Sequence, residues 1–251
     1  MSTALITGAA RRIGHDIALA LAEDGYDLAL CIRPNRADQD GAALKREIEA
    51  KGVRVAILPA DLADAAAVER LIPDAAAVLG PVSVLINNAS IFEADDAATM
   101  TYASWNEHMD VNLRAPAFLA RALNAQVPKS GGAIINIIDQ RVWRPNPLFF
   151  SYTMSKMALW DMTRVMAQSF APLIRVNAIG PGPTLQSTHQ TPEDFAREAA
   201  STLLGHGTSP AEICAAIRFI LAAPAMTGQM IALDGGQHLA WQTPDVMLKP
   251  R

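Results

Sequence analysis

The chain has 251 residues, of which 51% are hydrophobic, so it can bury the core of one large α/β domain or of two small ones. Its formal net charge of -4 and its pI near 5.7 argue against non-specific binding to nucleic acid, whose phosphates attract basic surfaces. No apolar run reaches the ~18 residues that a bilayer span requires, and the first residues lack the basic-then-apolar pattern of a signal peptide, so we expect no membrane partner.

Short apolar strands alternate with amphipathic helices along the chain. In chain order the predicted elements are strand 4–7, helix 13–23, strand 27–32, helix 42–51, strand 53–58, helix 64–79, strand 82–87, helix 104–126, strand 133–138, helix 151–170, strand 173–178, helix 210–222 and strand 229–233. This alternation is typical of βαβ units, and near-continuously apolar strands indicate a parallel sheet covered by helices on both faces. Because no linker, repeat or low-complexity tract divides the chain, we predict one doubly wound α/β domain over residues 1–251.

The cysteines and histidines favour a reducing compartment without metal. Cys31 and Cys214 stand in apolar contexts where buried free thiols are expected, which fits a cytoplasmic protein. The five histidines lack metal-ligand spacing to one another or to cysteine, so we expect no structural zinc.

A glycine-containing turn follows the first predicted strand, with the sequence Thr7-Gly8-Ala9-Ala10-Arg11-Arg12-Ile13-Gly14. Gly8 suits a tight turn, Gly14 lets the helix pack on the strand, and the helix N-terminus offers free N–H groups to a pyrophosphate. The G-x-G-x-x-G fingerprint is absent. A turn that uses its glycines for geometry alone is the alternative.

Arginines stand where the ribose of a dinucleotide would lie. Arg33 ends the second predicted strand, at the place where an NAD-specific site has Asp or Glu, and Arg11 and Arg12 lie in the first turn. Cations there suit the 2′-phosphate of NADP, although a solvated arginine is the alternative. Asp61, after the third strand, is placed either to bond the adenine amine or to cap the next helix.

Tyr152 and Lys156 are spaced to share one face of a helix. An ammonium near a phenol favours the phenolate and lowers the tyrosine pKa from about 10, which would allow proton exchange near neutral pH. A Tyr-x-x-x-Lys pair on a helix is also a common surface pair.

Together these features resemble the short-chain dehydrogenase/reductase family, from Thr3 to about Leu239. Further segments that carry the resemblance are Asn87-Asn88-Ala89-Ser90, Asn112 within Val-Asn-Leu, Pro181-Gly182 and Asp234-Gly235-Gly236. The resemblance implies a Rossmann-type sheet of about seven parallel strands, a nicotinamide cofactor and, usually, a homotetramer. It also implies that Tyr152 donates the proton, that Lys156 lowers its pKa and binds the nicotinamide ribose, and that Asn112 kinks the long helix and holds a water.

The same resemblance implies a set of cofactor-binding positions for NADP(H). They are Gly8, Arg11, Arg12, Ile13, Gly14, Arg33, Asp61, Leu62, Asn88, Ala89, Ser90, Lys156, Pro181 and Gly182.

The chain departs from the usual family pattern at two residues. Arg12 replaces a glycine of the first turn, and Asp139 replaces the serine that hydrogen-bonds a substrate carbonyl. An ionised carboxylate cannot donate a hydrogen bond, and it repels a carbonyl oxygen that gains negative charge during reduction. Ordinary ketone reduction is therefore in doubt.

Both departures occur together in the pteridine reductases and dihydromonapterin reductases, and this chain is similar to that branch. The similarity also covers Asn-Asn-Ala-Ser-x-Phe at 87–92 and Tyr-Thr-Met-x-Lys at 152–156. It implies that Phe92 stacks on a flat pterin, that Ser90 and Arg12 contact pterin or phosphate, and that Asp139 and Tyr152 deliver a proton to a ring nitrogen. Plain core packing of Phe92 and a purely structural Asp139 are the alternatives.

Three hypotheses follow for the function. The first is an NADPH-dependent reductase of a pterin or dihydropterin, the second a short-chain reductase of another carbonyl or imine compound, and the third a non-catalytic nicotinamide-binding sensor. The proton relay of Asn112, Tyr152 and Lys156 argues against the third. We expect a substrate loop at about 182–205, irregular because of Gly182, Pro183 and Pro192, and a C-terminal tail at about 237–251.

Overall fold

Seven parallel strands form one sheet in the order β3-β2-β1-β4-β5-β6-β7 in the computed structural model, which describes residues 2–243. The strands are β1 Thr3–Thr7, β2 Asp27–Ile32, β3 Val55–Pro59, β4 Val82–Asn87, β5 Gly132–Ile137, β6 Ile174–Pro181 and β7 Met230–Leu233. Every neighbouring pair is parallel. This topology confirms the predicted Rossmann-type α/β sheet.

Helices cover both faces of the sheet. Their bounds are α1 Arg12–Glu23, α2 Pro34–Arg36, α3 Ala42–Glu49, α4 Ala65–Leu79, α5 Tyr102–Met109, α6 Ala115–Gln126, α7 Phe150–Ser169, α8 Pro192–Ala200 and α9 Pro210–Ala222. Two large hydrophobic clusters result, one formed with α1, α3 and α9 and the other with α4 and α6. The strands are buried almost throughout because both faces are covered.

The chain reverses its winding direction between β1 and β4, which lie side by side although two strands separate them in sequence. In open α/β sheets a crevice forms at this point beyond the carboxyl ends of the strands. The turns after β1, β4, β5 and β6 therefore meet at one edge of the sheet, which is where the predicted site residues lie.

Two differences between the predicted and the observed elements bear on the site. The long helix predicted at 104–126 is divided by a π-helical segment, Asp110–Arg114, which contains Asn112. Pro192 does not break regular structure as predicted, because it is the first residue of α8. Thr191 and Asp194 form a capping box there, and proline is tolerated at a first helical position, where no backbone donor is needed.

The structure also describes the cysteines, the helix lengths and the arrangement of potential metal ligands. Cys31 and Cys214 are free and buried. Within residues 2–243, no helix is long and apolar enough to cross a membrane, and no group of three or more His, Cys, Asp or Glu is arranged to hold a metal ion. Most of the predicted C-terminal tail, from residue 244 on, lies outside the described residues.

Candidate active site

A cavity of about 420 Å³ opens at the carboxyl ends of the strands. Ten of the predicted site residues line it, namely Arg12, Ile13, Asn88, Ser90, Phe92, Asp139, Tyr152, Lys156, Pro181 and Gly182. Eight others do not line it, namely Gly8, Arg11, Gly14, Arg33, Asp61, Leu62, Ala89 and Asn112. Of these, Leu62 is buried in a hydrophobic core cluster, so its side chain faces away from the cavity.

Close packing explains the two glycines of the turn after β1. Gly8 has φ +66°, and a Cβ added to it would stand 2.9 Å from Ala89 Cα. A Cβ added to Gly14 would stand 2.1 Å from Gly8 O. No side chain caps α1, whose first N–H groups remain available at the cavity edge. Uncapped N–H groups at a glycine turn fit the phosphate of a dinucleotide.

Arg12 holds the backbone conformation for which the family uses glycine. Its φ is +54°, in the left-handed region that costs a non-glycine residue about 1 kcal/mol. Its guanidinium donates to Gln186 O at 2.9 Å and to Leu185 O at 3.1 Å. The side chain therefore fastens the first turn to the segment that follows β6, and this contact compensates for the strained backbone.

The end of β2 is basic, as predicted. Arg33 is exposed and immediately precedes α2, while Arg11 and Arg36 flank the Asp40 carboxylate at 3.7 and 3.6 Å. Asp61 does not cap α4. Its Oδ1 instead accepts from Ala63 N at 3.0 Å, and Asp64 is the capping residue.

The segment after β4 is tied to the turn after β1. Asn88 Nδ2 donates to Thr7 O and to Gly8 O at 3.0 and 3.1 Å. The N–H groups of Asn88 and Ala89 both donate to Thr7 Oγ1. These bonds bring Asn88 and Ser90 to the cavity beside the uncapped end of α1.

A hydrogen-bonded pair of acidic side chains, Asp139 and Tyr152, lines the cavity. Tyr152 Oη donates to Asp139 Oδ2 at 2.8 Å, and Asp139 Oδ1 accepts from Arg141 N at 2.8 Å. Lys156 Nζ donates to Ile137 O at 2.8 Å and lies 5.7 Å from the centroid of the Tyr152 ring. Tyr152 and Lys156 thus share a helix face, as predicted, and Asp139 shares the site with them.

The direction predicted for the tyrosine pKa is wrong. Burial and the adjacent Asp139 raise the pKa of Tyr152 well above its usual value. Burial lowers the pKa of Lys156 to about 8, and its ammonium is directed to the Ile137 carbonyl rather than to the phenol. Burial also raises the pKa of Asp139, although Arg141 opposes that change. The carboxyl, not the phenol, is therefore brought closer to a proton affinity useful near neutral pH.

Asn112 is buried in the π-helical segment and organises the loop beside it. Its Oδ1 accepts from Ile91 N at 2.8 Å, and its Nδ2 donates to Ile91 O and Ser155 Oγ, both at 3.0 Å. Ser90 Oγ also donates to Asn112 Oδ1, at 3.2 Å. Asn112 thus joins the loop after β4 to helix α7.

Two phenylalanine rings form an aromatic wall of the cavity. Phe92 stacks on Phe149 with centroids 4.0 Å apart and planes 12° from parallel, and the Tyr152 ring meets Phe92 edge-on at 4.7 Å. Arg141 Cζ lies 5.7 and 5.5 Å from the two centroids, so the near-equal distances place it beside the stack rather than on a face. His189 lies beside the stack in the same way, at 5.8 and 5.6 Å. Phe92 is therefore part of the cavity wall rather than of the core.

The sequence analysis missed three residues of this wall. Phe149, Arg141 and His189 all line the cavity. Arg141 had a signal, because it lies two residues after Asp139 in the same turn. Phe149 and His189 come from irregular segments. Phe149 also has a strained φ of +56°, which no sequence pattern predicts.

Comparison with known proteins gives a family. The family model described as enoyl-(acyl carrier protein) reductase matches residues 8–238. Galactitol 2-dehydrogenase of Cereibacter sphaeroides is 37% identical over 95% of both chains, and the 3-oxoacyl-[acyl-carrier-protein] reductase FabG of Staphylococcus aureus is 30% identical over 94% of this chain and 98% of its own. The chain belongs to the short-chain dehydrogenase/reductase family. It is therefore an oxidoreductase, and the sequence resemblance is confirmed.

Solved structures add a second line of similarity. FolM alternative dihydrofolate reductase 1 from Brucella suis, in complex with NADP, is 44% identical with a TM-score of 0.93, covering 97% of this chain and 98% of that one. A blue fluorescent protein from a metagenomic library, in complex with NADPH, is 34% identical with a TM-score of 0.88, covering 94% of this chain and 97% of that one.

Proposed function

We propose that the protein is an NADPH-dependent reductase of a pterin or dihydropterin. The observation that carries the proposal is the half-buried Asp139 carboxyl bonded to Tyr152 at 2.8 Å beside an aromatic wall. A planar heterocycle suits such a wall, and reduction of its C=N bond needs a proton at a ring nitrogen. The 44% identity to a FolM alternative dihydrofolate reductase supports the same substrate class.

The residues at the sheet edge fit NADP(H). The uncapped N-terminus of α1 would hold the pyrophosphate, and Arg11 and Arg33 would hold the 2′-phosphate. Lys156 would bind the nicotinamide ribose from its buried position near Tyr152. The cofactor would supply the hydride. Similar enzymes crystallised with NADP support this assignment.

The chain's own residues supply the proton. In the reaction the Tyr152 hydroxyl, which donates to Asp139 Oδ2 at 2.8 Å in the structure, would turn to the substrate and donate its proton to the ring nitrogen. A protonated Asp139 Oδ2 would then donate in the reverse direction across the same separation and return a proton to the Tyr152 oxygen. Arg141 N, bonded to Oδ1, leaves Oδ2 as the oxygen that carries the proton. Burial favours the protonated carboxyl, which explains why an aspartate rather than a serine stands here.

The second hypothesis, reduction of another carbonyl or imine compound, is favoured by the relatives named for a polyol and for 3-oxoacyl substrates. Against it stands Asp139 beside the tyrosine, because this carboxyl ionises as the pH rises and would then face the negative charge of a developing alkoxide. The sensor hypothesis is not retained, because the chain belongs to an oxidoreductase family and keeps the proton relay. A cytoplasmic homotetramer stays a prediction.

The test is NADPH oxidation with dihydromonapterin and dihydrobiopterin, each compared with a simple ketone, together with a crystal soaked with NADPH and a pterin analogue. We expect turnover of a dihydropterin and a planar ligand against Phe92. Preference for the ketone, or a ligand bound away from Phe92, would contradict the proposal.

A further inference from the structure

The helix that carries Tyr152 and Lys156 is capped from another part of the chain. Helix α7 follows Phe149, whose side chain makes no capping hydrogen bond. Asp95, from the segment between β4 and α5, accepts from Phe150 N with its main-chain oxygen at 3.2 Å and from Ser151 N with its Oδ1 at 3.0 Å. The first free N–H groups of the helix are therefore satisfied by a residue that lies more than fifty positions earlier.

The same carboxylate also joins two helices through side chains. Asp95 Oδ2 accepts from Ser151 Oγ at 2.5 Å and from Ser104 Oγ of α5 at 3.0 Å. Burial disfavours the charge of Asp95, but the hydrogen bonds from Ser151 and Ser104 outweigh burial and hold its pKa below the usual value. Asp95 is thus an ionised group with every contact directed at the start of α7 or at α5.

The segment that contains Asp95 also carries the aromatic wall. Phe92 lies three residues earlier, between two fixed points. Asn112 holds Ile91 on one side, and on the other Glu93 N donates to Nε2 of the buried His108 at 3.2 Å. Asp95 is a further attachment, and it is the one that bonds the first turn of the helix bearing the proton donor.

We infer that Asp95 is a positioning residue, which sets the place of the proton donor Tyr152 relative to Phe92 by fastening the Phe92 segment to the first turn of α7. The edge-on contact of 4.7 Å between the Phe92 and Tyr152 rings is the geometry that it maintains. A planar substrate packed on Phe92 would then meet the Tyr152 hydroxyl at a fixed distance, and small displacements of a catalytic group are costly to rate.

The experiment compares Asp95→Ala and Asp95→Asn with Asp64→Ala. Asp64 caps α4 through Ala66 N at 2.9 Å and does not line the cavity, so its loss reports on helix capping alone. Because the inference rests on the proposed function, the rate is measured with NADPH and a dihydropterin, and amide hydrogen exchange of residues 150–152 is measured independently of any substrate.

We expect Asp95→Ala to lower kcat by about tenfold or more, with the Kd for NADPH unchanged, and Asp95→Asn to keep most of the rate since it retains one acceptor. Asp64→Ala should lower Tm comparably while kcat stays near the original value. Faster exchange at residues 150–152 in Asp95→Ala is expected as well. Should Asp95→Ala fold poorly, Ser151→Ala removes only the bond to Oδ2 and should lower kcat in the same direction.

Equal kcat in Asp95→Ala and Asp64→Ala would overturn the inference. If the unmutated protein turns over no dihydropterin, the proposed function fails instead. In that case the hydrogen exchange of Asp95→Ala still tests the role of Asp95. Unchanged protection of the amides of residues 150–152 would contradict the proposal that Asp95 positions the start of α7.

Discussion

The two halves of the cavity are built by different means. The cofactor half depends on backbone geometry, with Gly8 and Gly14 in close contact and an uncapped helix end, and its charged side chains, such as Arg33, are exposed. The substrate half depends on buried and half-buried side chains, among them Tyr152, Asp139 and Phe149, that converge from separate segments. In the first half the charged side chains are in water, where we propose that they bind phosphate. In the second half burial removes the ionisable side chains from water and shifts their pKa values.

This difference explains what the sequence could predict. Gly8 and Arg33 directly follow predicted strands, and Gly14 lies in the first turn of the predicted helix after the first strand. Their positions along the chain therefore predict where they lie in space. The tyrosine pKa was predicted in the wrong direction. Helical spacing shows that Lys156 and Tyr152 are neighbours but not that the ammonium turns to Ile137 O. That choice depends on strand β5, which is distant in sequence.

Contacts between residues that are distant in sequence also made part of the substrate half unpredictable. Phe149 stacks on Phe92 although the two residues are far apart in sequence. Its left-handed φ is imposed by the fold, because a phenylalanine does not favour that conformation. Helix α8 was missed because Pro192 was interpreted as a breaker, whereas the Thr191 and Asp194 capping box makes it a helix start. A proline that directly follows a capping residue therefore indicates the start of a helix rather than a break in one.

The largest effect is expected at the proton donor. Tyr152→Phe should lower kcat by about 100-fold or more, because the hydroxyl bonded to Asp139 is lost, while NADPH still binds. Lys156→Met should impair both turnover and NADPH binding. Steady-state rates and a cofactor titration measure this, with Tyr102→Phe as control because Tyr102 is 91% exposed on α5. Near-normal turnover of Tyr152→Phe would remove Tyr152 from the mechanism.

The next effect concerns the exposed charge of the cofactor half. Arg33→Asp should weaken NADPH binding by roughly 1.5–3 kcal/mol relative to NADH, because a charge-assisted phosphate contact is lost. Kd values for both cofactors measure this, with Arg70→Asp on α4 as the matched charge reversal. Equal kinetics with NADPH and NADH in the unmutated enzyme would show that Arg33 does not select the cofactor.

A smaller effect is expected at the aromatic wall. Phe149→Leu keeps the apolar volume but removes the ring stacked at 4.0 Å on Phe92, so KM for a dihydropterin should rise several-fold while NADPH binding is unchanged. Phe219→Leu, at an exposed position of α9, is the control. An unchanged KM would show that Phe149 does not support the substrate.

The smallest expected effect is a gain in stability. Burial raises the pKa of Asp139 in the folded state, so folding takes up a proton and the ionised carboxyl destabilises the fold as pH rises. Asp139→Asn should therefore raise the free energy of unfolding by about 1 kcal/mol at neutral pH and lower turnover. The gain should vanish at acid pH, where the unmutated carboxyl is protonated as well. Thermal unfolding across pH measures this, and a gain that persists in acid would exclude a charge effect.

The central claim is that Asp139 holds the proton for reduction of a ring nitrogen. It is tested by kcat/KM against pH for the unmutated enzyme and Asp139→Ser, with a dihydropterin and with a simple ketone. We predict that the unmutated enzyme prefers the dihydropterin and loses activity as Asp139 ionises with rising pH. Asp139→Ser should be much slower and lack that limb. A limb from Lys156, whose pKa is about 8 in the unmutated protein, should remain but move to lower pH, because the charge of Asp139 raises that pKa. An Asp139→Ser enzyme with an unchanged rate and pH profile on the dihydropterin would contradict the account.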